Sequence, residues 1–209
     1  MPSDKPMKLH WSPRSPFVRK VMVAAHELGI VDRIECVRSV AAQLTPHVEL
    51  MKDNPLSKIP AMVLDDGTPL FDSRVICEYF DMTYGPKLFP SEPKARFLAL
   101  RRQALGDGML DFSVLWRGEL MRGPGKSPQL IASLTARREA CLAALEREAD
   151  ALHQGPFTIG HIALGCALSY LDFRFADLPW RDGHPRLTQW HATFAMRPSA
   201  KATEAVDDS

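Results

Sequence analysis

The four cysteines of this 209-residue chain, Cys36, Cys77, Cys141 and Cys166, show no CxxC spacing and no histidine-rich neighbourhood. That argues against structural zinc and against a dithiol redox motif, so free, mostly buried thiols in a reducing cytosol are expected. Long apolar runs are missing too. The longest, around Ile162 to Leu168, is far too short to span a bilayer. Charge of one sign is not in excess, with 26 Lys and Arg against 25 Asp and Glu. A formal net charge of +1 supplies no long-range field for nucleic acid or anionic lipid, and no like-charge run suggests a binding tail. The opening M-P-S-D-K-P-M-K-L-H lacks the apolar core of a secretory signal. Met1 to Pro6 reads as a frayed lead-in, with Met7 an alternative start.

What is present is an ordinary globular composition, 45% apolar and 24% charged, long enough for one large domain or two small ones. Lys8 to Trp11 reads as a short strand. Phe17, Val21, Ala24, Ala25 and Leu28 recur at helical spacing, and Gly29 stops that helix. Ile34 to Val40 reads as a second strand. Pro60 to Leu64 and Pro69 to Phe71 flank D-D-G-T, a hairpin signal. Ser73 opens a further helix, with Ile76, Tyr79, Phe80 and Thr83 on one face, ended by Gly85-Pro86. With a short helix before the third strand, this order implies a small mixed sheet with helices packed on it.

Beyond K-L-F-P-S-E-P no strand pattern survives. A long helical pattern runs from Lys94 to about Arg122, loosened at Gly106-Asp107-Gly108, and a second from Gln129 to His153. Thr158 to Asp172 is apolar nearly all round, which predicts a buried helix. Pro185 to Arg197 carries Leu187, Trp190 and Phe194. The chain is therefore expected to comprise an α+β domain over 1–84, a linker, and an all-α domain over 92–209, with no internal repeats.

Three short motifs bear on chemistry. In W-S-P-R-S-P-F, Ser15 before Pro16 is an ordinary helix N-cap and Ser12 a turn residue; neither sits in the G-x-S-x-G elbow of a serine hydrolase. In N-P-L-S-K-I-P, Pro60 opening a strand is either a plain trans proline or a cis one that turns the Ile59 backbone toward an extended peptide. In F-D-S-R-V-I, Ser73 reads as the N-cap, with Asp72 a second cap or a solvated charge. The helix end offers free N–H groups to a carboxylate, and an acid beside it suits an ammonium group.

Together with F-T-I-G-H-I-A-L-G-C-A-L in the second half, these motifs resemble a glutathione S-transferase across essentially the whole length, of the serine-type, bacterial-like cytosolic kind. The resemblance implies a thioredoxin-like N-terminal domain and a helical C-terminal domain. In that family a serine, tyrosine or cysteine at the end of the first strand faces the glutathione sulfur, and the spacing from S-P-F to K-V matches the serine-using subgroups at Ser15. The resemblance further implies glutathione as co-substrate, without a metal. Ile59 would pair with the cysteinyl backbone through a cis Pro60, Asp72 and Ser73 would take the γ-glutamyl end, and Phe17 and Lys58 would assist. A serine cannot form the mixed disulfide that a cysteine there would, which favours conjugation or isomerisation over thiol transfer.

The second substrate, a small hydrophobic electrophile, is expected between the domains, against the long helix. Asp107, Leu110, Asp111, Ser113 and Val114 are candidates, alongside Met109 and Trp116; half of these apolar residues are expected to be plain core. A cytoplasmic homodimer acting in detoxification is implied, with neither nucleic acid nor membrane as partner. The alternative is a non-catalytic module for protein interaction or stress response, against which the complete set Ser15, Ile59-Pro60 and Asp72-Ser73 weighs. One departure stands out. The usual S/T-x-x-D cap of the helical domain reads Thr158 and His161 here, which removes the carboxylate from that cap.

Overall fold

The computed structural model describes residues 5–42 and 44–208, so residues 1–4 of the expected lead-in lie outside the described residues. The chain forms two compact units. One comprises residues up to Pro93 together with those from Pro198, and the other runs from Lys94 to Arg197.

In the first unit, strand β1 (Met7–Trp11) leads to helix α1 (Pro16–Leu28), then β2 (Ile34–Arg38), α2 (Val48–Asp53), β3 (Ala61–Val63), β4 (Pro69–Leu70) and α3 (Ser73–Tyr84). The sheet order is β2-β1-β3-β4. β1 runs parallel to β2, with Met7 opposite Ile34 and Trp11 opposite Arg38, and antiparallel to β3, with His10 opposite Ala61. This is the thioredoxin-like mixed sheet, with α1 and α3 packed together. Leu9 and Met62 on the central strands are fully buried with Val21, Ala24, Ile76 and Phe80 of the helices. Gly29 ends α1 at φ 68, where its N–H reaches the carbonyls of Ala25 and His26, a left-handed position that glycine adopts at no steric cost. The D-D-G-T hairpin forms as expected, with the Thr68 N–H donating to Asp66 Oδ1 at 2.8 Å. After α3, buried Asp81 accepts from the N–H groups of Lys87, Leu88 and Phe89, which secures the turn that follows.

The second unit contains α4 (Pro93–Leu120) from Lys94 onward, α5 (Pro128–Gln154), α6 (Ile159–Arg174) and α7 (Pro185–Ala195). Helix α6 has 12 of its 16 residues buried, so the all-round apolar pattern is that of a central helix. The Gly106-Asp107-Gly108 stretch does not loosen α4, which is continuous. Its Gly106 lies against α6 so closely that a Cβ there would sit 2.6 Å from the Ala163 carbonyl carbon. On the other side of the same crossing, a Cβ on Gly160 would come within 2.8 Å of the Ala99 carbonyl oxygen. The helix propensity given up by glycine is thus offset by backbone approach.

At the start of α6, His161 takes over the aspartate's part, its Nδ1 accepting from the Thr158 N–H at 3.1 Å. The histidine is 2% exposed. Burial, reinforced by the charges of Arg102 and Arg197, pushes its pKa down from 6.5 to about 4. It is therefore neutral near pH 7, with a lone pair available for the cap.

The final segment, from Pro198 on, groups with the first compact unit. Helix α8 (Pro198–Lys201) packs on α1, where Ser199 Oγ donates to Glu27 at 2.6 Å and Arg19 donates to the Ala200 carbonyl at 3.2 Å. Of the thiols, Cys77 and Cys166 are buried and Cys141 partly so, but Cys36 is exposed because β2 is an edge strand.

Replacing Gly106 with alanine should cost about 1–3 kcal/mol, because the clash is with backbone that has no rotamer to change; urea unfolding of the pair checks it. His161 also makes stability depend on pH. Its folded pKa is depressed, so its contribution is intact above about pH 6.5 and falls away as acid protonates the unfolded chain first, by up to about 3 kcal/mol near pH 4. An H161N variant, which keeps an acceptor but does not titrate, should flatten the urea midpoint between those pH values. Superimposable profiles would contradict this.

Candidate functional site

The carboxyl end of β1 leads into the turn that carries the candidate serines. The strand stops at Trp11. The chain then turns, with the Ser15 N–H donating to the Ser12 carbonyl at 3.2 Å and the Arg14 N–H reaching Ser12 Oγ at 3.4 Å. Ser12 is buried in that turn and holds it through these two bonds, the role expected of it. Ser15 has extended backbone and accepts from the Val18 N–H at 3.3 Å, so it is the N-cap of α1. That cap uses one lone pair of a half-buried hydroxyl. The O–H itself is left to donate.

The other motifs lie close by in the fold. Ala61 faces His10 across the sheet, which brings Ile59 and Pro60 to the same end of the sheet as the Trp11–Ser15 turn. The Ile59–Pro60 peptide bond is cis, as is Phe71–Asp72. The loop before them is held by buried Asn54, whose Nδ2 donates to the Lys58 carbonyl at 2.8 Å and whose Oδ1 accepts from the Leu56 N–H. Lys58 itself is exposed and Phe17 half-buried.

At α3, Asp72 is the N-cap, its Oδ1 accepting from the Arg74 N–H at 2.8 Å, and Ser73 is the first helical residue. Ser73 is therefore not the expected N-cap, and of the two roles open to Asp72 it takes that of a cap. Ser73 turns inward, where the Nζ of Lys20 approaches its Oγ at 3.4 Å. Lys20, fully buried and one turn beyond the Ser15 cap, thereby ties the start of α3 to α1. Asp72 remains exposed at the helix end.

The candidates for a second pocket all lie on α4. Asp107, Leu110 and Ser113 are buried, Val114 is half-buried and Asp111 exposed. Leu110 and Ser113 share the buried stripe of Gly106, Met109 and Trp116, and Trp116 itself packs on Phe175 with ring centroids 5.0 Å apart. Packing within the helical unit thus accounts for their burial.

Sequence reasoning missed a cluster beside the β1 turn. His10 Nε2 lies 2.8 Å from Asp53 Oδ2 at the end of α2, His10 Nδ1 lies 2.8 Å from Ser39 Oγ, and Lys8 pairs with the same Asp53 oxygen at 2.5 Å. Burial alone would raise the Asp53 carboxyl, but hydrogen bonds from His10 and Lys8 outweigh it and hold the pKa below the usual carboxylate range. Ser39 is 1% exposed, so the arrangement serves to anchor α2 and not to attack a substrate. No signal in the sequence joins residues 10, 39 and 53. Among the described residues no cluster of His, Cys, Asp and Glu suited to a metal ion occurs, and no helix is long and apolar enough to cross a membrane.

A thioredoxin-like unit with a helix-capping serine after its first strand, followed by a helical unit, defines the class. The comparisons specify it further. Residues 14–83 match the family model described as glutathione S-transferase, N-terminal domain, and residues 128–193 the corresponding C-terminal domain. The chain is 30% identical to glutathione S-transferase U17 of Arabidopsis thaliana over 73% of its length and 71% of that protein's. It is 29% identical to the uncharacterized GST-like protein YibF of Escherichia coli, over 95% and 98% of the two chains. A crystal structure of a glutathione transferase family member from Pseudomonas fluorescens Pf-5 with bound glutathione superposes with a TM-score of 0.92 at 42% identity, covering 96% of this chain and 99% of that one. The structure of a family member from the same organism with bound S-(propanoic acid)-glutathione gives 0.88 at 41%, covering 96% and 100%. The chain belongs to the glutathione S-transferase family.

Proposed function

We propose that the protein is a glutathione transferase that binds glutathione at the β1–α1 turn, activates its thiol with Ser15 and delivers it to a small hydrophobic electrophile. The observation that carries this reading is the Ser15 hydroxyl, capping α1 through a lone pair while its proton stays available. The glutathione bound by the Pseudomonas relative supports the same ligand here.

Magnitudes decide the role of the serine. A free thiol has a pKa near 8.5, and moving it down by about two units takes about 2.7 kcal/mol. One hydrogen bond to a charged group contributes about 1.5–3 kcal/mol, and the N-terminus of α1 adds about 0.3–1 kcal/mol. Ser15 is too weak an acid to give up its own proton and too weak a base to take the thiol's, so it acts as a donor to the thiolate. The thiol proton leaves to solvent as glutathione binds. The sulfur then forms a bond to carbon, and a leaving group departs with its electron pair or, for an activated alkene, the π pair shifts to the neighbouring carbon, which takes a proton from water.

Around that sulfur, Phe17 and Lys58 border the tripeptide, the Ile59 backbone before Pro60 pairs with the cysteinyl residue, and the γ-glutamyl group lies at the start of α3 with its ammonium on exposed Asp72 and its carboxylate by Ser73. Buried Lys20 behind Ser73 strengthens the positive field there. On α4 we assign Asp111 and Val114, the accessible members of the set, to the electrophile. Asp107, Leu110 and Ser113 are buried in the packing of α4 and back those two positions without facing the electrophile. A cytoplasmic homodimer with a detoxifying role is the setting this reading implies.

The test is glutathione titration by calorimetry with thiolate absorbance followed in parallel. Wild-type protein should bind glutathione and hold it as thiolate at neutral pH. S15A should raise the bound thiol pKa by about 1–2 units with the fold intact, and an unshifted titration removes Ser15 from the mechanism. D72N retains a capping oxygen and should weaken glutathione binding about threefold, as loss of an exposed ion pair permits, while slowing turnover less. Affinity preserved with turnover lost would move the γ-glutamyl end elsewhere.

A further inference from the structure

Arg14 and Arg38 close on a single carboxylate. Arg14 Nε lies 2.8 Å from Asp208 Oδ1, while Arg38 places Nη2 at 2.6 Å and Nε at 2.9 Å from Asp208 Oδ2. Each oxygen of Asp208 thus has a guanidinium of its own, and Arg14 Nη1 also stands 3.8 Å from Asp207. The two arginines come from neighbouring parts of the sheet. Arg38 ends β2 directly opposite Trp11 at the end of β1, and Arg14 lies in the turn that follows Trp11. Carboxyl ends of parallel strands are where open α/β sheets take ligands. Arg14 is also the residue before Ser15, so one arm of the clamp and the hydroxyl proposed to face the glutathione sulfur come from the same β1–α1 turn.

The arginines are set on regular structure, whereas the carboxylate between them is supplied by the chain beyond the end of α8. The side chains of Arg14, Arg38 and Asp208 are 25%, 35% and 31% exposed, so the site is open to solvent and its internal pairing is of the weakly held, exposed kind. We propose that Arg14 and Arg38 form a binding site for a carboxylate on the electrophile, and that Asp208 occupies this site in the free protein as an internal competitor. The inference rests on the glutathione reading and adds the substrate class, an α,β-unsaturated carboxylic acid. In that addition the thiolate forms a bond to the β-carbon, the π pair moves onto the α-carbon and carboxylate, and the α-carbon takes a proton from water. A free carboxylate opposes this step by its own charge. Two guanidiniums neutralise that charge and accommodate the increment that develops.

The probes are glutathione, S-(2-carboxyethyl)glutathione and its uncharged isostere S-(2-carbamoylethyl)glutathione, titrated by calorimetry into the wild-type, D208N and R14Q proteins. The wild type should favour the carboxyethyl over the carbamoylethyl conjugate. Freeing the clamp in D208N should raise that ratio about threefold, as loss of an exposed ion pair permits, and R14Q should bring it close to one. A ratio near one in all three proteins, with glutathione still bound, overturns the clamp and leaves the glutathione reading standing. If D208N instead strengthens glutathione itself, and not glutathione amidated at its glycine, the clamp serves the tripeptide's own carboxylate and the assignment to the electrophile falls. Absence of glutathione binding by the wild type overturns the underlying reading and the clamp with it.

Discussion

In the proposed reading one hydroxyl serves a helix and stays available to a ligand, and the strand, turn and helix of the first unit meet that demand. Ser15 can cap α1 only with extended backbone at the point where the chain leaves β1, so strand, turn and helix are fixed relative to one another. Pro16 at the first helical position costs no hydrogen bond because that N–H would have been unpartnered. The pairing of β1 with β3 then determines where Ile59 and Pro60 fall, and buried Lys20 fixes the start of α3. The positions of Ser15, of the Ile59 backbone and of the start of α3 are thus set by the fold itself, which favours a site that meets its ligand without reorganising.

The helical unit follows a different constraint. Its central helix carries glycine where a neighbour comes closest: Gly160 against α4, and Gly165 against the Phe194 ring. Such contacts place α6 at a spacing that no larger residue allows. The capping histidine fits this scheme. Its imidazole packs beside the Phe157 and Trp190 rings and, kept neutral by burial and by the charges of Arg102 and Arg197, accepts the Thr158 N–H.

Local motifs were legible because their physics is local. The N-cap at Ser15, the Gly29 stop, the Asp66-Gly67 hairpin and the buried pattern of α6 all depend on residues within one or two turns of each other. The glutathione assignment came from resemblance laid over those motifs. The details that local patterns did not carry share one cause, a neighbour distant in sequence. Ser73 is drawn inward by Lys20, so Asp72 becomes the cap. Gly106 is held in the helix by Ala163 across the α4–α6 crossing. The last segment is claimed by α1.

The pattern of residues by itself determined the element order, the α+β and all-α halves and the chemical identity of the serine, since propensity, capping and apolar periodicity act over a few residues. Only the tertiary structure decided which charges meet. His10 reaches Asp53, and Asp208 reaches Arg14 and Arg38, across separations that no spacing rule encodes. The physical reason is that an ion pair is sensitive to distances of a few ångströms, and those distances exist only once the sheet register and the return of the chain to α1 have been set.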